Sequence, residues 1–147
     1  MSVPSAKLTA VTLGVRDLSV SARFYQALGF ERKFRATGDE IVFLDGGGVV
    51  LALWDLDKLA EDSGLPSQLQ PHVFRGATFA WNCTTSAEVD AVFAKAVDAG
   101  AKSLRQPETT DYGGYRGYFS DPDGHAWEVV KAPGFGFTED GRLILPA

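Results

Sequence analysis

The chain has 147 residues, of which 45% are hydrophobic and 22% charged, as is ordinary for a single globular domain. Its formal net charge of -5, with no run rich in Lys or Arg, argues against nucleic acid as a partner. The one cysteine, Cys83, excludes an internal disulfide and favours a reducing cytoplasm, and no apolar stretch reaches the roughly 20 residues of a membrane helix.

The first third of the chain predicts a strand, a helix and three further strands. Residues 8–15 alternate apolar side chains with small or polar ones, which indicates a strand. A side-chain oxygen of Asp17 or Ser19 is expected to cap a helix over about residues 20–28, which Gly29 ends. Three strand-like runs follow, at residues 30–36, 40–44 and 49–54.

The same order of elements recurs after a stretch rich in Gly and Pro. That stretch predicts a short helix over about residues 56–63, followed by irregular chain. Thr85 and Glu88 form a capping box, which starts a second long helix that runs to about residue 99. The strands of this second set are expected at residues 77–83, 102–105, 115–119 and 126–131.

The recurrence predicts one domain over residues 1–147, built from two modules of strand, helix and three strands. The modules cover residues 8–54 and 76–131, and residues 55–75 link them. A unit this small cannot bury its own sheet, so we expect the two modules to complete each other. The tail, residues 132–147, is expected to be a loop that lays apolar side chains over a surface.

Three segments carry a family resemblance. They are Val11-Thr12-Leu13-Gly14-Val15-Arg16-Asp17-Leu18 with Ser21, Phe24-Tyr25 and Leu28-Gly29-Phe30; the helix from Ser86 to Gly100; and Tyr118-Phe119-Ser120-Asp121-Pro122-Asp123-Gly124-His125-Ala126-Trp127-Glu128-Val129. In these segments the chain resembles the vicinal-oxygen-chelate superfamily of glyoxalases, bleomycin-resistance proteins and extradiol dioxygenases. The resemblance implies an α+β fold, in which two βαβββ modules form a curved, U-shaped mixed sheet. It also implies a ligand cavity on the concave face and helices on the convex face.

Alternation along four strands separates a bulky face from a small one. The bulky face holds Val11, Leu13, Val15; Val49, Leu51, Leu53; Phe79, Trp81, Cys83; Trp127 and Val129. The small face holds Ala10, Thr12, Gly14; Val50, Ala52; Thr78, Ala80, Asn82; Ala126 and Glu128. We assign the bulky face to the helices, with Cys83 as a packing residue, and the small face to a cavity with Ala52 in its floor. The alternative is that the small residues accept close packing.

The resemblance also implies four metal-ligand positions, which hold His, Glu or Gln in metal-dependent relatives. In this chain they are Ala10, Ala52, Thr78 and Glu128, and of these only Glu128 is a competent ligand for a divalent ion. We therefore expect neither a metal nor another cofactor. Glu128 is expected to contact the ligand or to be inherited, and a general base is the alternative. The two histidines, His72 and His125, are expected to be solvated or packed.

Aromatic residues are expected to surround the small face and to favour a planar or aromatic small molecule. A hairpin that pairs Phe119 with Ala126 would place Tyr115 and Phe119 on the face of Glu128. Arg116 lies beside the loop that precedes Tyr115. The predicted ligand-binding residues are Phe43, Ala52, Trp54, Thr78, Asn82, Tyr115, Arg116, Phe119 and Glu128.

The leading functional hypothesis is a protein that binds a small molecule without turnover, as in the bleomycin-resistance branch. The alternatives are a metal-dependent lyase, isomerase or dioxygenase of the same superfamily, and an interaction module with a vestigial cavity. A homodimer is expected, because exposed strand edges and an apolar tail need covering. Neither nucleic acid nor a membrane is expected as a partner.

Overall fold

The computed structural model describes residues 2–68, 70 and 72–147. The first module consists of β1 (Ala10–Val15), α1 (Leu18–Ala27), β2 (Glu31–Lys33), a 3-10 turn (Arg35–Thr37), β3 (Ile41–Asp45) and β4 (Val50–Asp55). The helix α2 (Leu56–Ser63) follows β4 directly. The second module consists of β5 (Phe79–Asn82), α3 (Ser86–Asp98), β6 (Lys102–Thr109), β7 (Tyr115–Ser120) and β8 (Ala126–Lys131).

Each module forms a four-stranded mixed sheet, in the order β1-β4-β3-β2 or β5-β8-β7-β6. The first and last strands of a module are parallel neighbours, and the remaining pairs are antiparallel. This confirms the α+β class and the two βαβββ modules. Among the described residues no strand pair joins the two sheets, so β1 and β5 are both edge strands.

The helix starts follow local capping chemistry. The carboxylate of Asp17 accepts a hydrogen bond from the backbone N–H of Val20 at 3.1 Å, which confirms one of the two predicted caps of α1. The hydroxyl of Thr85 accepts from the N–H of Glu88 at 3.1 Å, as a cap of α3. The Glu88 carboxylate, however, accepts from the N–H of Thr84 at 2.8 Å, so it reaches one residue beyond the predicted capping box.

One hydrophobic core unites the helix-facing sides of both sheets. It contains Leu13, Val15, Leu51 and Leu53 of the first sheet, Trp127, Val129 and Phe119 of the second, and the predicted packing residue Cys83. Two rings of α1 lie between the sheets: Phe24 is 6.3 Å from Phe119, and Tyr25 is 5.9 Å from Trp127, centroid to centroid. The assignment of the bulky faces to the helices is therefore confirmed, and the outer faces point away from this common core.

A buried polar cluster at the turn between β7 and β8 fastens the modules together. The Tyr25 hydroxyl donates to Asp121 Oδ2 at 2.5 Å and accepts from the indole N–H of Trp127 at 3.0 Å. The backbone N–H of Arg16 donates to Asp123 Oδ1 at 3.0 Å. Burial, followed by the nearby Asp121 charge, raises the pKa of Tyr25 well above its ordinary value, so the phenol stays a donor.

His125 extends this cluster and is packed rather than exposed. Its Nδ1 accepts from the guanidinium of Arg75 at 3.2 Å, so its Nε2–H is left to donate to the carbonyl of Gly14 at 2.9 Å. Arg75 also donates to the carbonyl of Asp123 at 2.5 Å. His125, itself in the second module, thus connects Arg75 of the linker to Gly14 of the first module. The other histidine, His72, is exposed.

The tail differs from the predicted loop. Its strands β9 (Gly136–Phe137) and β10 (Leu143–Ile144) pair as a small antiparallel hairpin. The Arg142 side chain lies over Gly48, where a Cβ would stand 3.2 Å from Arg142 Nε, so the hairpin packs on the glycine turn between β3 and β4. Within the described residues, none of the helices is both long and apolar enough to cross a membrane.

Candidate functional site

The outer face of the second sheet carries a row of three residues on adjacent strands. Register pairs Glu128 with Ala80 on β5 and with Tyr118 on β7. The Tyr118 hydroxyl donates to Glu128 Oε2 at 3.1 Å. We call this surface the polar face, and its strand positions are Ala80, Asn82, Arg116, Tyr118, Ser120, Ala126, Glu128 and the buried Val130.

The predicted hairpin register was wrong by one residue. Ser120 pairs with Ala126 and Phe119 with Trp127, so the loop between β7 and β8 has an odd number of residues. The reason is local: Asp121 accepts from two backbone N–H groups of the turn, and the Asp121 N–H donates to the His125 carbonyl at 3.0 Å. These bonds hold a wider loop than a tight turn at Pro122-Asp123.

The corrected register moves two predicted site residues to the helix side of the sheet. Phe119 is 0% exposed and stacks on Trp127 with centroids 6.2 Å apart. Tyr115 packs against the core, and its hydroxyl donates to the Asp90 carboxylate on α3 at 2.7 Å. Tyr118 takes the place predicted for them. The turn motif Asp-Pro-Asp-Gly-His does not itself reveal the loop length, so sequence reasoning missed this residue.

Arg116 lies next to Tyr118 on the polar face. Its guanidinium carbon is 5.9 Å from the centroid of the Tyr118 ring, a cation–π geometry. Its side chain is only 14% exposed, and Nη1 reaches Glu108 Oε1 at 3.4 Å. Glu108 is 52% exposed and accepts a shorter bond, of 2.9 Å, from Arg105. A largely buried cation therefore shares one carboxylate oxygen of an exposed residue with a second arginine.

The pKa values of Tyr118, on the polar face, and of Glu108, beside it, are shifted in opposite directions. Burial, followed by the Glu128 charge, raises the pKa of Tyr118, so its hydroxyl remains a donor at neutral pH. Hydrogen bonds from Arg105 and Arg116 lower the pKa of Glu108. The polar face thus offers a cation, a neutral donor and the Glu128 carboxyl group within two adjacent rows.

The outer face of the first sheet is apolar and aromatic. Phe43 on β3 and Thr12 on β1 flank Ala52 on β4, and Trp54 lies in the next row. The exposed ring of Phe34 packs on Phe43 with centroids 5.9 Å apart. We call this surface the aromatic face. Ala52 is only 2% exposed, so it does not floor an open cavity as predicted.

Close packing accounts for the smallness of Gly14. A Cβ at this position would stand 2.7 Å from Leu56 Cδ1 and 3.2 Å from Leu56 Cα. The helix α2 therefore covers this end of the aromatic face. The alternative interpretation of the small residues, that they accept a close neighbour, is correct here.

The predicted ligand-binding residues separate into three groups. Phe43, Ala52 and Trp54 lie on the aromatic face, whereas Asn82, Arg116 and Glu128 lie on the polar face, with Thr78 just before β5; Tyr115 and Phe119 face the core. Because the first two faces point away from one shared core, a single chain does not bring them together.

A separate cavity of about 820 Å³ lies at the seam between the modules. Five aromatic side chains line it: Phe30, Phe79, Trp81, Trp127 and, from the tail hairpin, Phe137. Of the predicted ligand-binding residues it includes only Thr78 and Asn82. This cavity thus meets the polar face at its β5 edge, where Ala80 and Asn82 belong to both.

The side chains of these faces do not fit a divalent metal ion. Glu128 has Ala80 and Tyr118 as its register neighbours, and Ala10 and Ala52 offer no donor atom. Within the described residues no group of three or more His, Cys, Asp or Glu side chains is placed to hold a metal. A stable site needs several such donors converging on one point.

Comparison with known proteins agrees with this architecture. The family model described as Glyoxalase/Bleomycin resistance protein/Dioxygenase superfamily matches residues 7–129. A crystal structure of a glyoxalase-related enzyme from Fulvimarina pelagi is 36% identical over 96% of this chain and 99% of that chain, with a TM-score of 0.84. A glyoxalase/bleomycin resistance protein/dioxygenase from Nocardioides is 27% identical over 90% of this chain and 88% of that chain, with a TM-score of 0.71.

More distant structures share the fold alone. Lactoylglutathione lyase from Agrobacterium tumefaciens is 21% identical over 92% of this chain and 100% of that chain, with a TM-score of 0.69. Among curated protein sequences, none matches this chain.

Proposed function

The chain belongs to the Glyoxalase/Bleomycin resistance protein/Dioxygenase superfamily, and from that premise we propose that it binds a small organic molecule on the polar face, without a complete metal site. The activity of any relative does not decide this, since one scaffold hosts many chemistries. The proposal follows from the residues of the face itself.

The observation that carries the proposal is the cluster of Glu128, Tyr118 and Arg116 beside two alanines. These polar groups lie on the side of the sheet away from the core, where no helix of their own module packs. Ala80, the partner of Glu128 on β5, and Ala126, two positions before Glu128 on β8, have small side chains that leave space above the sheet. Converging polar groups with room beside them are what a small-molecule site requires.

A homodimer is part of the proposal. The aromatic face and the polar face point away from each other in one chain, so a second copy would be needed to lay one over the other. Phe43 and Trp54 would then supply contact area, and Glu128 and Arg116 would supply polar direction. Such a site favours a planar or aromatic ligand. We propose the cytoplasm as the compartment, in keeping with the single buried thiol of Cys83.

A thermal-shift screen of planar aromatic compounds tests the proposal, because a ligand that binds only the native state raises the melting temperature. The screen uses the wild type, Ala80→Phe, which fills the polar face, and Ala94→Phe on the exposed side of α3 as the matched control. We expect shifts with the wild type and the control that Ala80→Phe abolishes. Because Ala80 also lines the seam cavity, the screen includes Ala126→Phe, which lies on the polar face and outside the cavity lining. Shifts that Ala80→Phe abolishes but Ala126→Phe leaves intact would place binding in the seam cavity and overturn the proposal.

A further inference from the structure

We infer that the ligand of the polar face is a small aromatic carboxylate whose anionic group pairs with Arg116. The inference rests on the proposed function and names the chemical class that the same site takes. It follows from the burial of Arg116, from its poor pairing within the chain, and from the groups beside it.

Arg116 is a nearly buried cation with few partners. Its side chain is 14% exposed, and its polar contact among the described residues is the 3.4 Å approach to Glu108. A guanidinium carries five N–H donors in a planar fork, so most of them point at no protein acceptor. Burying a charge without hydrogen bonds is costly, and the remaining exposure leaves those donors within reach of a ligand.

Glu108 is a weak partner for this cation. Its Oε1 accepts the shorter bond, 2.9 Å, from Arg105, while Arg116 reaches the same oxygen from farther away. Glu108 is also 52% exposed, and ion pairs with an exposed carboxylate contribute little because water screens them. An incoming carboxylate can therefore engage Arg116 without breaking a strong internal pair, and bidentate pairing is the geometry that guanidinium favours.

The surroundings of Arg116 hold it in place and select the rest of the ligand. The Tyr118 ring lies 5.9 Å from the guanidinium carbon, within the range of a cation–π interaction. The Tyr118 hydroxyl, at 3.1 Å from Glu128 Oε2, marks the neighbouring row, and Ala80 lies beyond Glu128 on the next strand. A carboxylate paired with Arg116 would therefore place an aromatic ring over β8, on the side of Arg116 that faces Ala80.

Matched pairs of ligands separate charge recognition from ring recognition. The probes are benzoate, salicylate and phenylacetate, each compared with its neutral carboxamide by calorimetric titration. We expect the wild type to bind the carboxylates at least tenfold more tightly than the carboxamides, which corresponds to about 1.4 kcal/mol. We also expect added salt to weaken carboxylate binding more than carboxamide binding.

Three variants locate the effect. Arg116→Gln should weaken carboxylate binding at least tenfold and leave carboxamide binding within about twofold, which also shows that the variant is folded. Glu108→Gln should tighten carboxylate binding, because it removes the competing internal acceptor. Arg23→Gln, on the exposed side of α1, changes net charge equally and should leave all affinities unchanged.

Two results would overturn the inference. The first is equal affinity for carboxylates and carboxamides with no effect of Arg116→Gln. If Ala126→Phe, on the polar face and outside the seam cavity, still abolished both, the proposed function would stand and only the ligand class would fall. The second is no binding of any carboxylate at millimolar concentration, in which case the broader screen alone decides the proposed function. Equal weakening by Arg23→Gln would indicate a general charge effect and would also reject a specific role for Arg116.

Discussion

The hydroxyl of Tyr25 donates a hydrogen bond of 2.5 Å to Asp121, a residue 96 positions later in the chain. Tyr25 lies on the first helix of the first module, and Asp121 opens the last turn of the second. Both residues are buried, and the same hydroxyl accepts from Trp127 at 3.0 Å. This contact explains how two small modules form one core although no strand pair joins their sheets among the described residues.

The first prediction is that removing the Tyr25 hydroxyl destabilises the contact between the two modules. Tyr25→Phe removes the hydroxyl that bonds to Asp121 Oδ2 and to the indole N–H of Trp127, and should lower the free energy of unfolding by about 3 kcal/mol. Denaturant unfolding of the variant and the wild type measures this difference. Tyr118→Phe removes a hydroxyl on the polar face, which is less buried, and should cost less than about 1 kcal/mol. Equal losses in the two variants would show that the Tyr25 bond has no special part in joining the modules.

The second prediction concerns pH and Asp123. Burial is the largest cause that raises the pKa of this carboxyl above its ordinary value. The folded state then binds the proton more tightly than the unfolded state, so stability falls as pH rises from the unfolded pKa through the folded one. Asp123→Asn keeps an oxygen for the N–H of Arg16 but cannot ionise. The melting temperature of Asp123→Asn relative to wild type should therefore be higher at neutral pH than at pH about 3.

Asp123→Ala separates the effect of the charge from the effect of the hydrogen bond to Arg16. Asp123→Ala loses the acceptor as well as the charge, and should be destabilised at both pH values because the Arg16 N–H is left without its bond. If the relative melting temperature of Asp123→Asn were instead lower at neutral pH than in acid, the carboxylate would be stabilising in its charged form, and burial would not dominate.

Most of the fold was predictable from the alternation of side chains along the strands and from the residues that cap the helices. The two modules, the helix over residues 56–63 and the bulky core faces were all predictable, because each depends on neighbours in sequence. The residues of the candidate site were harder to predict from the sequence. Side-chain hydrogen bonds of Asp121 set the loop length that moved Phe119 into the core and Tyr118 outward. The opposite directions of the two outer faces arise from packing between modules, which no local pattern encodes.

Ala52 and Ala80 should respond differently to the same enlargement. Both lie on outer faces, but Ala52 is 2% exposed and Ala80 is exposed. Ala52→Phe should therefore overpack its surroundings and cost about 1–3 kcal/mol, whereas Ala80→Phe should cost less than about 0.5 kcal/mol. Thermal unfolding of the two variants measures this. A stable Ala52→Phe would mean that the aromatic face has room above it, as the sequence alone suggested.

A further prediction concerns metal content. Since Glu128 has no second competent ligand in its row, purified protein should retain no stoichiometric Zn, Ni, Fe or Mn after dialysis. Elemental analysis of the wild type and of Glu128→Gln checks this. About one equivalent of metal in the wild type that disappears in Glu128→Gln would show that additional donors reach Glu128, for instance from a second copy.

The last prediction tests why Gly14 is glycine. In a strand, alanine is ordinarily more stable than glycine by roughly 0.5–1 kcal/mol, since glycine loses more conformational freedom on folding. Here a Cβ would meet Leu56 Cδ1 at 2.7 Å and Leu56 Cα at 3.2 Å, so the sign should reverse and Gly14→Ala should destabilise by about 1–3 kcal/mol. Leu56→Ala removes the nearer atom and costs stability of its own. If the clash is the cause, the double variant will lose less than the two single variants added together, with a coupling of at least about 0.5 kcal/mol in a double-mutant cycle. Additive losses, or a Gly14→Ala variant more stable than the wild type, would show that α2 yields easily and that the small face at this end of β1 is open to a ligand after all.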